Sequence, residues 1–179
     1  SYSDIRRAMI YASLHESVQA IMLDINSGGG AVSGCADCAA LIASIDKGVK
    51  PVYAFTDGMM ASAAYWLGSS ARGVYVSQTA MTGSIGVIST HMEYSKLLKE
   101  AGIGVTVMRA GEYKALVNSM EPLSDVAKMQ MQDQLNAAYG VFISHVAEAR
   151  GTSVALADKT MGQGREFFGA AAGDANLAD

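Results

Sequence analysis

Apolar residues along this chain alternate between short unbroken runs and stretches spaced three or four apart. That pattern predicts strands buried on both faces, alternating with amphipathic helices. Residues 3–15 read as a helix with Ile5, Met9 and Ala12 on one face, and residues 19–26 (QAIMLDIN) as a buried strand. The strand runs into Ser27-Gly28-Gly29-Gly30, and a helix is expected over about 32–47. Residues 51–56 (PVYAFT) predict a second strand and Asp57-Gly58 a turn, followed by a helix of small residues over about 60–71 that puts Ser62 in its first turn. Further strands are expected at 73–77, 84–89 and 103–109, a helix at 93–101, a loop at 110–123 and the longest helix at 124–150. A helical and turn segment closes the chain. Strands and helices that alternate in this way predict an α/β layer structure.

With 179 residues, half of them apolar, the chain is long enough for one domain with a substantial core. Its 13 basic and 17 acidic residues, formal net charge −4, are scattered without a basic stripe, which argues against a nucleic-acid partner. No window reaches the roughly 18 apolar residues of a membrane span, and no leader peptide is visible, so a soluble, cytoplasmic chain is expected. It opens on Ser1 and stops on Leu177-Ala178-Asp179 in what reads as an unfinished element. The expectation is one domain over 1–179, trimmed at one or both ends, whose missing segments could carry an anchor.

Cys35 and Cys38 form a C-x-x-C, but no second ligand pair exists and both fall within the helix expected over 32–47, away from its start. They read as small helix residues rather than as a redox or zinc site, and neither a metal nor a cofactor is expected.

Two segments carry candidate chemistry. A serine just after a strand-to-helix turn, as in Met60-Ala61-Ser62-Ala63-Ala64-Tyr65, exposes its hydroxyl where a helix N-terminus aims free N–H groups at developing negative charge. Taken alone, such a serine is more often a helix cap or a neutral residue. The small neighbours Ala61 and Ala63 leave room for a peptide carbonyl and suggest small side chains in the substrate. Three successive glycines after a buried strand permit close ligand approach, yet the spacing is neither G-x-x-x-x-G-K-[ST] nor G-x-G-x-x-G, which excludes the usual nucleotide loops.

Four segments occur in order: Asp24-Ile25-Asn26-Ser27-Gly28-Gly29-Gly30, Met60 to Tyr65, Thr82-Gly83-Ser84-Ile85-Gly86-Val87, and Gly111-Glu112-Tyr113-Lys114. From about Asp4 to the end, the chain resembles the signal peptide peptidase A family, serine peptidase family S49, and within it the phage head-maturation branch. The resemblance implies a ClpP/crotonase-like fold of stacked β-β-α units. It implies Ser62 as nucleophile, Lys114 as general base, Ser84 as the residue that orients the lysine, and the backbone N–H groups of Gly29 and Ala63 as the oxyanion hole. One departure is Gly28, where the family usually has proline, which makes this loop less rigid.

A serine hydroxyl needs a base, and a lysine serves as one only when neutral, which calls for a drop of about 3 pH units from about 10.4. The apolar neighbours Ala115, Leu116 and Val117 favour that drop, while Glu112 opposes it. The rival base is His91, in a Ser-His-Asp triad; His15 and His145 read as ordinary helix residues. The implied activity is peptide hydrolysis through an acyl-enzyme, with scaffold and portal proteins as substrates in a procapsid. Alternatives are a cellular signal-peptide peptidase, a crotonase-type acyl-CoA enzyme, and an inactive assembly protein on the same fold. The resemblance also implies a homo-oligomeric ring whose neighbours complete each site. Met120, Met129 and Met131 either line that interface or pack inside the protomer.

Overall fold

The structure, a computed structural model, describes residues 1–179. In chain order its elements are α1 (Tyr2–Leu14), β1 (Ile21–Asp24), α2 (Cys35–Gly48), β2 (Val52–Thr56), β3 (Met59–Ala61), α3 (Ala63–Gly68), β4 (Gly73–Val76) and β5 (Met81–Gly83). There follow α4 (Ser95–Glu100), α5 (Asp125–Ala149), α6 (Val154–Thr160), β6 (Glu166–Phe168) and α7 (Ala171–Asp174). The chain divides into two compact units, one of Ser1–Val87 with Ala138–Asp179, the other of Ile88–Ala137.

In the larger unit, β1, β2 and β4 make a parallel sheet in the order β1-β2-β4, and β3, β5 and β6 a second sheet in the order β3-β5-β6. Along β2, Val52, Ala54 and Thr56 are fully buried. The α2 helix turns Cys35, Cys38, Ala39, Ile42, Ile45 and Asp46 inward, a 3.6-residue stripe that supplies much of the core. Each large apolar side chain so buried contributes about 1.5–3 kcal/mol. The Trp66 ring stacks on Phe142 at 4.4 Å, and Tyr65, wholly buried, donates its hydroxyl to the Leu177 carbonyl at 2.9 Å. The α3 helix lies so close to β3 and Ile25 that a Cβ on Gly68 would sit 2.3 Å from Met60 Sδ.

The strand at 19–26 and the helices at 3–15, 32–47 and 124–150 form within a few residues of their expected bounds. Four expectations change. The helix expected from residue 60 starts at Ala63, because Met59–Ala61 is drawn into a parallel ladder as β3. The strand expected at 84–89 lies earlier, at Met81–Gly83, since only those residues meet β3 and β6. No strand forms at 103–109: Ile103, Val105 and Met108 are exposed, and without a partner strand the β-propensity of such residues has no ladder to complete. Cys35 is the first residue of α2, not an interior one.

The smaller unit holds α4 and the α5 residues up to Ala137, with much apolar surface in the open, Ile88 and Met108 above all. Met120 and Met129 are exposed and Met131 half-buried, so the first two do not pack inside the protomer.

Asp46 links α2 to the start of β2 and to Arg72, the residue before β4. Its carboxylate accepts from Val52 N–H at 2.8 Å and from Arg72 Nε at 2.7 Å. Truncating it strands a buried amide, so Asp46→Ala is expected to lower the unfolding free energy by about 1–3 kcal/mol. The urea midpoint, at unchanged m-value, measures this.

Candidate active site

The site begins with a strand pinned on both edges. β3 pairs in parallel with β5 in the register Met60↔Thr82 and Ala61↔Gly83. On its other edge Ser27 N–H donates to the Met59 carbonyl at 2.7 Å, and Ala61 N–H donates to the Ser27 carbonyl at 3.1 Å. The glycine loop is thereby tied to β3, and β3 to β5.

Both strands of the pair end on a serine with positive φ, Ser62 at 53° and Ser84 at 51°. Each follows directly on one member of the last ladder pair, Ala61↔Gly83, so the two serines leave neighbouring strand ends. Ser62 N–H donates to the Gly83 carbonyl at 2.8 Å, while its own carbonyl accepts Trp66 N–H at 2.9 Å to start α3. Ser62 is thus the N-cap of α3, with ψ −127°, and not a residue of its first turn. A non-glycine residue held there stores about 1–3 kcal/mol of strain, and such a strand-to-helix elbow keeps a nucleophile's hydroxyl clear of its own backbone. No group of its own unit hydrogen-bonds to Ser62 Oγ. Ser84 N–H donates to the Arg165 carbonyl at 2.7 Å, which explains the need for glycine at 83: a Cβ there would meet the same carbonyl at 2.7 Å.

Gly29 faces the elbow. With φ 118°, a Cβ on it would come within 2.8 Å of Ser62 Cβ and 3.1 Å of Ser62 Oγ. Its N–H donates to Ser27 Oγ at 3.2 Å, a bond that an oxyanion would have to displace or share. Ala63 N–H, the first of α3, is left free by the helix ladder. Gly29, Gly30, Ala63 and Ala64 border a cavity of about 800 Å³, walled largely by Ile5, Met9, Ile42 and Leu67.

Cys35 lies beneath this floor, its thiol 3.6 Å from the Ala63 carbonyl, and burial pushes it up to about 11. Burial also raises Cys38, and both thiols are free and inert despite the helix start at Cys35. His145, half-buried, meets Ser70 Oγ at 2.9 Å beside Trp66, and burial lowers its proton affinity.

Within the smaller unit, Gly111-Glu112-Tyr113-Lys114 is a turn closed by Lys114 N–H on the Gly111 carbonyl at 3.0 Å, with Gly111 at φ 95° and Lys114 exposed. His91 Nε2 is shielded from solvent without a hydrogen bond, and the nearby Glu93 carboxylate accepts from Ser95 N–H instead. Ser62, Ser84, Gly29 and Ala63 are brought together in one unit; Lys114 and His91 belong to the other. Sequence reasoning missed the parts played by Tyr2, by the Ser27 hydroxyl and by β6. A serine before glycines gives a weak signal for the second, but nothing local marks the others.

The sheet pair, the serine elbow and the facing glycine loop define a ClpP-like α/β peptidase fold. A ClpP1 variant from Listeria monocytogenes superposes with a TM-score of 0.58 over 99% of this chain and 81% of that one, at 15% identity. The profile of Peptidase family S49 matches residues 44–179, and the chain belongs to that family. It is 34% identical over 178 residues to capsid assembly protease C of Escherichia phage lambda, covering 99% of this chain and 40% of that protein. The head-tail preconnector protein GP5 of Enterobacteria phage P21 is likewise 34% identical, covering 99% and 35%. The chain thus spans well under half the length of these two relatives.

Because a Cβ on Gly29 would crowd Ser62 Oγ, Gly29→Ala is expected to slow phosphonylation by a fluorophosphonate, if Ser62 is the residue that reacts, at least about 100-fold. Intact mass against time reads the rate.

Proposed function

We propose that this chain is a serine endopeptidase in which Ser62 is the nucleophile and Lys114 the general base. The observation that supports this reading is the strained Ser62 elbow facing Gly29 and Ala63, in a member of a peptidase family. In the proposed reaction Lys114 Nζ takes the Ser62 proton as Oγ attacks the scissile carbonyl. The tetrahedral oxyanion is held by the main-chain N–H groups of Gly29 and Ala63. The C–N bond then breaks, and the lysine proton passes to the leaving amine. Water, deprotonated by the same amine, later releases the acyl group and restores Ser62. Ser84, on the neighbouring strand end, orients the lysine. No cofactor enters the scheme.

An exposed lysine makes a poor base, because water stabilises its ammonium form. Lys114 is exposed, and so is much of the apolar surface of its unit. We therefore assign the burying surface to a second copy of the chain, in a ring whose neighbours pair Ser62 with Lys114. The substrates proposed are scaffold and portal proteins inside a procapsid, in line with the capsid assembly role named for the lambda relative. That setting lies in the host cytoplasm. No helix is long and apolar enough to cross a membrane.

Ser62→Ala and Lys114→Ala are each expected to lower kcat/KM on a scaffold-derived peptide at least about a thousandfold. For the wild type, kcat/KM rises between pH 6 and 10 as the amine loses its proton. A flat profile, or the retention of activity by Lys114→Ala and its loss in His91→Ala, overturns the lysine assignment. No phosphonate adduct at Ser62 overturns the peptidase reading in favour of an inactive assembly protein.

If sites are shared in the ring, mixing Ser62→Ala with Lys114→Ala chains returns about a quarter of the sites, since each needs one intact residue from each neighbour. Recovery of nothing, with subunit exchange verified by native mass spectrometry, refutes sharing.

A further inference from the structure

The glycine loop facing Ser62 is held in a one-sided way. Ser27 is fastened to β3, and Cys35 starts α2 with its N–H on the Val32 carbonyl at 3.1 Å. Between them, residues 28–33 make only two further hydrogen-bonded contacts. One is internal, between Ser27 and Gly29. The other comes from outside: Tyr2, the first residue of α1, donates its hydroxyl to the Ala31 carbonyl at 2.6 Å. The tyrosine lies close to the loop at two points. A Cβ on Gly30 would stand 3.2 Å from its hydroxyl, and one on Gly34 would stand 3.5 Å from its Cδ2.

The loop also lacks a stiffener that position 28 could carry. Gly28 has no left-handed φ, its amide carries no hydrogen bond, and a Cβ there would only touch Met59 Sδ at 3.5 Å. Ser27, before it, already sits in an extended bridge to Met60. These are the conditions under which proline is tolerated and shrinks the set of loose conformations.

We propose that Tyr2 is a positioning residue for the oxyanion loop, acting through its hydrogen bond to the Ala31 carbonyl in the place of a rigid residue at 28. Tyr2 touches no reacting atom. It fixes the main chain at 29–31, and so the direction in which the loop N–H groups face Ser62. Burial, then the neighbouring Cys35 thiol, push the Tyr2 hydroxyl up to about 12, so it stays a donor across the working pH range. The role in catalysis rests on the reading of Ser62 as nucleophile; the tethering of the loop does not.

The test compares the wild type, Tyr2→Phe and the double variant Tyr2→Phe with Gly28→Pro, all as the 179-residue chain. The phenylalanine keeps the ring and deletes only the donor. In Tyr2→Phe, hydrogen exchange within 28–34 speeds up about tenfold at the Gly29 amide, the one there that donates a hydrogen bond, while peptides in α2 and β2 keep their rates. Phosphonylation of Ser62 by a fluorophosphonate, in which the Oγ–P bond forms, the P–F bond breaks and the general base takes the hydroxyl proton, slows about tenfold. That is less than the loss of a whole oxyanion donor, because the loop is loosened and not removed. On a cleavable peptide the loss falls on kcat with KM unchanged, and Gly28→Pro restores most of the rate and the protection.

Unchanged exchange at 28–34 overturns the proposal, whatever the activity. So does faster exchange with unchanged phosphonylation, which reduces Tyr2 to a packing residue. If the wild type forms no Ser62 adduct at all, the peptidase reading falls, and with it the catalytic role of Tyr2; the exchange arm then judges the tether alone.

Discussion

The double hydrogen bonding of the short strand β3, to β5 along one edge and to Ser27 along the other, is the constraint on which the candidate site depends. Three residues of strand would be negligible in isolation. Held between two partners, they decide where Ser62 stands, and they bring in register the two other components that matter. Ser84 lies beside Ser62 because Ala61 is paired with Gly83, and Gly29 faces Ser62 because Ser27 is paired with Met60. One ladder thus aligns Ser62, the neighbouring Ser84 and the glycine loop.

Glycine appears in this arrangement where backbone meets backbone. Gly83 leaves room for the Arg165 carbonyl, which in turn receives Ser84 N–H, and Gly29 leaves room for the Ser62 side chain. The strain of the positive-φ serines is carried by packing around them. Tyr65 and Trp66 in α3 are almost wholly buried, and Cys35 fills the floor under Ala63. The buried cysteines serve here as small apolar volume, their thiols held neutral by lack of water.

The loop opposite Ser62 is the least braced part of this frame, and its outside support comes from α1, about 30 residues earlier in the chain. The base assigned to the reaction lies in a different compact unit from the nucleophile, on an exposed turn. Preorganisation is thus concentrated at Ser62 and Ser84, while the features that would complete catalysis depend on a tether and on burial by another surface.

Periodicity by itself determined the α/β class, the helices α1, α2 and α5 and the strands β1 and β2, because each reports a local rule of side-chain spacing; that β1 leaves Met22 exposed it did not foretell. The four ordered motifs likewise marked the family, which the match over residues 44–179 shows. What periodicity could not determine was β3, β5 and β6: these strands are three residues long, and such a segment becomes a strand only when a distant partner accepts its hydrogen bonds. The same holds for Ser62. Sequence marked it as a helix-start serine, but its left-handed φ and its place outside the helix follow from the pairing of Ala61 with Gly83. The Tyr2 bond to Ala31 was likewise invisible, since only the folded chain brings residues 29 positions apart within 2.6 Å.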